Sequence, residues 1–208
     1  MVSDKCKLLI ATRNEGKLRE YERLLDGLRM TLTYLTEEGI THEVEESGET
    51  FAENAIQKAE EYARVCGLLT LADDSGLEVD ALGGEPGVHS ARYAGAGASD
   101  EDRYLLLLEK MRSVPWEERS ARFRCVIAVA QPGGDTPSSE GVCEGVIAFS
   151  PEGRFGFGYD PVFFLPEYQR TMAQLPPDEK NHISHRARAA AGIRPVLEMF
   201  AGGQDVSD

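Results

Sequence analysis

Positive charge is scarce in this sequence. Lys and Arg number 22 against 36 Asp and Glu, a net charge of −14 over 208 residues, which argues against a broad electrostatic hold on DNA, RNA or an anionic membrane. Any polyanion bound here needs a local basic patch or a metal. Paired cysteines are also lacking. Cys6, Cys66, Cys125 and Cys143 stand far apart with no C-x-x-C, so spacing suggests neither a zinc site nor a disulfide framework, and free thiols in a reducing compartment are the simplest reading. Long apolar runs are missing too. Leu8–Ala11, after the polar start of the chain, is too short for a signal-peptide core, and Tyr104–Leu108 and Cys125–Ala130 fall far short of a membrane span. These absences place the protein in the cytosol. With 41% hydrophobic and 28% charged residues, the chain is neither disordered nor fibrous. No repeat, linker or low-complexity tract divides it, so one domain over residues 1–208 is expected.

Lys7–Thr12 reads as a short buried strand. Leu18, Tyr21, Leu24, Leu25 and Leu28 then follow at helical spacing, with Gly27 near the end. Thr36–Glu49 reads as an acidic loop, with room for a strand. Thr50-Phe-Ala-Glu53 has capping-box spacing, and the stripe Phe51, Ala55, Ala59, Tyr62, Ala63, Cys66 predicts an amphipathic helix stopped by Gly67. A second buried strand is expected over Leu68–Asp73. Gly83–Ser99 is a Gly-rich surface excursion, and Ser99 is placed to cap a helix through Met111 whose apolar face includes Leu105 and Leu108. Ser120–Gln131 and Val142–Ser150 read as a strand pair around a turn-rich segment, and Ser184 as the start of an alanine-rich helix that Pro195 should kink or end. Strands handing over to helices in this order predict an α/β fold with a mixed sheet and flanking helices.

Four stretches carry chemistry. Thr12-Arg13-Asn14-Glu15-Gly16-Lys17 lies where a strand meets a helix, a place where free N–H groups, a Gly and a Lys can cradle phosphate. It is not a Walker A loop, and a capped helix with a solvated lysine accounts for it equally well. Glu37–Glu61 holds nine glutamates and one lysine. Most are solvated charges, but the adjacent Glu45 and Glu46 just ahead of a helix are candidate hard-cation ligands. Leu71-Ala-Asp73-Asp74-Ser75-Gly76 puts two carboxylates and a hydroxyl at the expected end of an apolar strand, suited to Mg²⁺ and to deprotonating water, or alternatively to a simple Asp-Ser-Gly turn. Lastly, in Gly156-Phe-Gly-Tyr-Asp160-Pro the aromatics Phe157 and Tyr159 can stack on a base and Asp160 can accept a hydrogen bond from it. Further on, Arg170–Arg194 has five Lys/Arg against two acids, so Lys180, His185 and Arg186 are the best candidates for a second local anion site, a helix merely carrying surface arginines being the alternative.

In this order, Thr12–Lys17, Glu45–Phe51, Ala72–Gly76 continuing to Val88–Gly95, Gly156–Pro161 and Ser184–Arg186 resemble the inosine triphosphate pyrophosphatase family, over about residues 7 to 200. The resemblance implies two lobes around a central nucleotide cleft, usually in a homodimer. It also implies Mg²⁺-dependent hydrolysis of ITP, dITP and XTP to the monophosphate and pyrophosphate. By position, Asp74 corresponds to the proton acceptor and a metal ligand, and Glu45 to the other metal carboxylate. Thr12, Arg13, Asn14, Glu15, Gly16, Lys17 and Ser75 fall in substrate-binding segments; Phe157, Gly158, Tyr159 and Asp160 would enclose the base. Lys180, His185 and Arg186 would complete base and phosphate recognition, with Lys58 and Arg92 near the substrate. Arg13 in place of a small residue, and His89 in place of a Tyr, depart from commoner forms and bear on substrate preference.

Overall fold

The computed structural model describes residues 6–202; the two ends of the expected 1–208 domain lie outside the described residues. In chain order the elements are β1 (Cys6–Ile10), α1 (Glu15–Leu24), β2 (Met30–Tyr34), α2 (Phe51–Cys66), β3 (Leu69–Val79), α3 (Asp100–Lys110), β4 (Ser120–Ala130), β5 (Ser138–Ile147), β6 (Phe163–Leu165), β7 (Arg170–Thr171), α4 (Pro177–Ile183) and α5 (His185–Gly202). The strands form one sheet in the order β2-β1-β3-β4-β5-β6-β7. β1 runs parallel to β2 and β3, and β6 runs antiparallel to β5 and β7. The expected α/β class with a mixed sheet and flanking helices is the observed one.

Helix starts follow the chemistry read from the chain. Asn14 caps α1 by accepting the Lys17 N–H, and Thr50 and Glu53 close a reciprocal capping box on α2, which ends at Gly67. Ser99 and Asp102 do the same for α3. These side chains satisfy N–H groups that the first helical turn leaves open.

Several boundaries differ from expectation. The strand of the acidic region is β2, which lies before Thr36, and residues 36–49 contain none. β5 begins at Ser138 rather than Val142. α3 turns Leu107 and Met111 inward and leaves Leu105 47% exposed, because 104, 107, 108 and 111 share a face that 105 does not. α4 was not anticipated in its seven-residue length. Pro195 lies inside α5, which continues to Gly202. Ile193 and Leu197 on either side of it are buried, and such packing outweighs the ~3 kcal/mol that an interior proline costs.

The largest correction concerns β3. It does not end at Asp73 but runs eleven residues through Asp74, Ser75 and Gly76 to Val79. Leu69 and Leu71 belong to one hydrophobic core, with Leu8, Ile10, Tyr21, Ile127 and Ile193. Leu77 and Val79 belong to another, with Leu107, Phe123, Ile147 and Phe163. The strand is therefore held by apolar side chains at both ends, and neither a strand terminus nor a turn lies at the carboxylates.

The chain divides into two compact units. The first gathers the chain up to Asp74, Cys125–Gly141 and the chain from Arg186 onward; the second comprises Ser75–Arg124 and Val142–His185.

Candidate active site

Within the first unit, β3 sets the charges. Successive strand residues point to opposite faces, so Asp73 and Asp74, adjacent in sequence, make different direct bonds although the charges of Lys17 and Lys58 act on both. Asp73 Oδ2 accepts from Arg186 Nη2 at 3.1 Å and lies 3.0 Å from Lys17 Nζ. Arg186, 1% exposed, also pairs with Glu20 Oε2 at 2.5 Å. Burial opposes the charge on Asp73, but Lys17, Arg186 and Lys58 prevail and hold its carboxyl well below the usual carboxylate range. The same burial opposes the charge on Arg186, and Asp73 and Glu20 overcome it. The Cys125 thiol, fully buried beside Asp73, is pushed far above its ordinary value. Asp73 Oδ1 is buried with no hydrogen-bond partner.

Asp74 behaves oppositely. Burial raises its proton affinity, and the charges of Lys58 and Lys17 offset this only in part. Its Oδ2 accepts the Asn54 Nδ2–H at 2.9 Å. Lys58, one turn after Asn54 on α2, donates to Glu46 and to the Asp73 carbonyl, the latter at 2.7 Å. Burial disfavours the Lys58 ammonium, yet Asp74, Asp73 and Glu46 together hold its pKa above the ordinary lysine value.

The first loop is anchored to the same strand through the Ala11 N–H, which donates to Leu71 O at 2.8 Å. Thr12 Oγ1 accepts the Asn14 N–H at 3.2 Å, and Gly16 is buried in the first turn of α1. Glu15 faces solvent and pairs loosely with Arg19. Arg13 does not extend freely from this loop: its guanidinium donates to the Ile40 and His42 carbonyls, each at 3.0 Å. In the acidic segment Glu45 is exposed, whereas the half-buried Glu46 is paired with Lys58 and adds to the negative field at Asp74.

Within the second unit, a buried ion pair helps to hold the aromatic loop. Asp160, 2% exposed, takes Lys180 Nζ at 2.5 Å and the Phe157 N–H at 2.9 Å on the same oxygen. Lys180, 4% exposed, also lies over the Phe157 ring, 4.8 Å from its centroid. The Gly158 N–H donates to Asp100 at 2.6 Å, and the Tyr159 hydroxyl to the Ser90 carbonyl at 2.9 Å. Gly156 is obligatory here: its φ is +76°, and a Cβ would lie 1.9 Å from Asp160 Oδ2. His185 is buried against the Phe123 ring, 4.8 Å between centroids. Ser75 is half-buried in β3, and the exposed Arg92 donates to His89 Nδ1 at 3.3 Å.

From the sequence Asp73 reads as half of a metal-suited carboxylate pair rather than as the partner of buried cations, and two further residues, Glu20 and Asn54, are not singled out at all. The signal for the last two was a polar residue interrupting a buried helix face, Glu20 beside Tyr21 and Asn54 beside Phe51 and Ala55. The carboxylates of Asp74 and Glu46 supply oxygen donors of the kind that hard divalent cations take, one or two at a time, together with substrate phosphates. Among the described residues no group of three or more His, Cys, Asp or Glu is placed to hold a metal ion, and the Glu46 carboxylate adds to the negative field at Asp74.

Comparison with known proteins assigns the family. The Ham1 family model matches residues 8–196. The chain is 55% identical over 191 residues to the dITP/XTP pyrophosphatase of Geobacter sulfurreducens, covering 92% of this chain and 96% of that one, and 47% identical over 190 residues to the dITP/XTP pyrophosphatase of Bacillus subtilis, covering 91% and 96%. The solved structure of a HAM1 protein from Coxiella burnetii superposes with a TM-score of 0.84 at 44% identity, covering 92% of this chain and 98% of that one. With its motifs in order and the match running over nearly its whole length, the chain belongs to the Ham1 family.

Proposed function

We propose that this chain is a nucleoside triphosphate pyrophosphatase that hydrolyses the deaminated purine nucleotides ITP, dITP and XTP to the monophosphate and pyrophosphate, in the cytosol and as a homodimer. The observation that carries the reading is Asp74, a buried carboxylate of raised proton affinity beside Lys58 and Lys17, in a chain 55% identical to a dITP/XTP pyrophosphatase. A carboxylate whose proton affinity is raised toward neutrality is the better general base. In this role Asp74 accepts a proton from the water that attacks the α-phosphorus, while the α–β bridging oxygen leaves with pyrophosphate. Lys17, Lys58 and the N-terminus of α1, with Thr12 and Asn14, hold the anionic triphosphate. Asp74 with Glu46 or Glu45 would hold Mg²⁺, which supplies charge neutralisation on the phosphates when bound.

The second unit is assigned the base. Phe157 supplies aromatic surface, whereas Tyr159 is buried in the core of that unit, and Asp160 and Lys180 fix the loop that carries them. A 6-oxo purine presents an acceptor where adenine presents an amino donor. A protein donor at that position favours hypoxanthine and xanthine, and it meets adenine with a donor–donor mismatch of ~1–3 kcal/mol per unpaired group. Among the described residues no helix is long and apolar enough to cross a membrane. The exposed pair Trp116 and Phe149, 5.8 Å between ring centroids, is apolar surface of the kind a second copy covers.

The test is a panel of dITP, XTP, GTP, ATP, dUTP and methylated dTTP with Mg²⁺, scored for pyrophosphate against orthophosphate. The expected result is pyrophosphate release with dITP and XTP preferred over ATP by roughly 10- to 200-fold. Orthophosphate alone, or no preference, contradicts the reading. Binding without turnover indicates a nucleotide sensor, and preference for dUTP or methylated dTTP a pyrimidine enzyme.

A further inference from the structure

Asn54 has none of the roles assigned above, yet it is 2% exposed and both ends of its amide are engaged. Nδ2 donates to Asp74 Oδ2 at 2.9 Å, and Oδ1 accepts the Gly48 N–H at 2.8 Å. The amide orientation is fixed by its partners, since a carboxylate requires a donor and a peptide N–H an acceptor. Asn54 therefore links β3 to the segment that carries Glu45 and Glu46.

Gly48 closes over this link. A Cβ there would lie 2.7 Å from Asn54 Oδ1 and 2.7 Å from Glu53 Cβ, so only glycine lets the backbone approach so near. The next two amides are held as well, because Glu53 Oε2 accepts from Glu49 N at 2.7 Å and from Thr50 N at 3.1 Å. Lys58 occupies the same helical face as Asn54 at the i+4 position and holds Glu46. A single face of α2 thus fixes both the acidic segment and Asp74.

We propose that Asn54 is a positioning residue for the hydrolysis: its amide holds Asp74 in one orientation and ties it to the Glu45–Gly48 segment, so that the proton acceptor and the acidic segment are set together. The proposal rests on the assignment of Asp74 as proton acceptor. Two ammonium groups, those of Lys17 and Lys58, act on Asp74, and an unrestrained carboxylate would swing toward them. A neutral amide restrains it without cancelling its charge, which a further lysine would do. Orientation matters because a reacting group held in its attack geometry avoids the entropic cost of finding it.

The experiment measures pyrophosphate release from dITP with Mg²⁺ by Asn54→Ala and by the isosteric Asn54→Asp, each alone and combined with Asp74→Asn. Asn54→Ala is expected to lower kcat about 10- to 100-fold, as loss of a supporting hydrogen bond does, with KM changed by less than about threefold. Asn54→Asp keeps the shape and the Gly48 contact but sets a second carboxylate against Asp74, and is expected to lose at least as much. In the Asp74→Asn background, Asn54→Ala is expected to cost no more than about twofold, since the group it positions is gone.

Wild-type kcat in both variants overturns the proposal. So does a rise in KM at constant kcat, or an equal loss in the Asp74→Asn background. If Asn54→Ala lacks a native circular dichroism spectrum, Asn54→Asp decides; if neither folds, Asn54 is purely structural and the proposal fails. A wild-type protein that releases no pyrophosphate instead defeats the functional reading beneath it, which an active wild type with active Asn54 variants would leave standing.

Discussion

The two units of the chain stabilise their proposed site residues in contrasting ways. In the first unit, charges from α1, β3 and α5 converge on Asp73: Lys17, Glu20 and Arg186 form a buried network whose partners lie up to 166 residues apart. In the second, the aromatic loop closes on the buried pair Asp160–Lys180, with glycine at 156 and a bond from Gly158 to Asp100. The first is an electrostatic frame, to which we assign the phosphates and the proton transfer. The second is a loop shaped by local bonds, to which we assign the base. The contrast teaches that a buried charge signifies different things in the two places: Asp73 and Arg186 brace each other, whereas Asp74, less fully neutralised, retains the proton affinity a base needs.

The strongest way to break this contrast is Asp74→Asn. It is expected to reduce turnover by about 10²- to 10⁴-fold while preserving the circular dichroism spectrum, because the side chain keeps its shape and Asp73 keeps its partners. Retention of most activity would remove Asp74 from its role.

A stability effect comes next. Glu20→Ala leaves Arg186 buried with one carboxylate fewer and is expected to cost ~3–5 kcal/mol in urea unfolding. A loss under 1 kcal/mol would show that the network is not a frame. The same network sets an acid limit. The native pKa of Asp73 is depressed, so its contribution is fully present above its unfolded value of about 3.9 and is lost as pH falls toward the lower native value. The urea midpoint of the wild type should therefore fall on acidification from about pH 5 to pH 2, and Asp73→Asn should flatten that slope.

The sequence made the ordered motifs, the three capped helix starts and the α/β class legible, because each depends on neighbours within a turn or two. It concealed the continuation of β3. Asp73-Asp74-Ser75-Gly76 reads locally as a strand end or turn, and it is Arg186, 113 residues away, together with Lys17 and Lys58, that makes a buried carboxylate tolerable in mid-strand. Similarly, nothing local distinguishes Glu45 from Glu46; Lys58 on α2 draws in the second. Arg13 matched a substrate-binding segment by position, yet its guanidinium is committed to the Ile40 and His42 carbonyls. Residues whose contacts come from a distant partner are those whose setting a reading along the chain does not reveal.

The division of labour is tested most directly by dITP and dATP, which share sugar and phosphates and differ in the base. The measurement is the ratio of kcat/KM for dITP to that for dATP, by pyrophosphate release, in wild type, Lys180→Met and Asp74→Asn. Lys180→Met, which unpairs Asp160 and loosens the aromatic loop, should reduce the ratio by about tenfold. Asp74→Asn should slow both substrates and leave the ratio unchanged. A ratio that moves with Asp74→Asn and stays fixed with Lys180→Met would contradict the account.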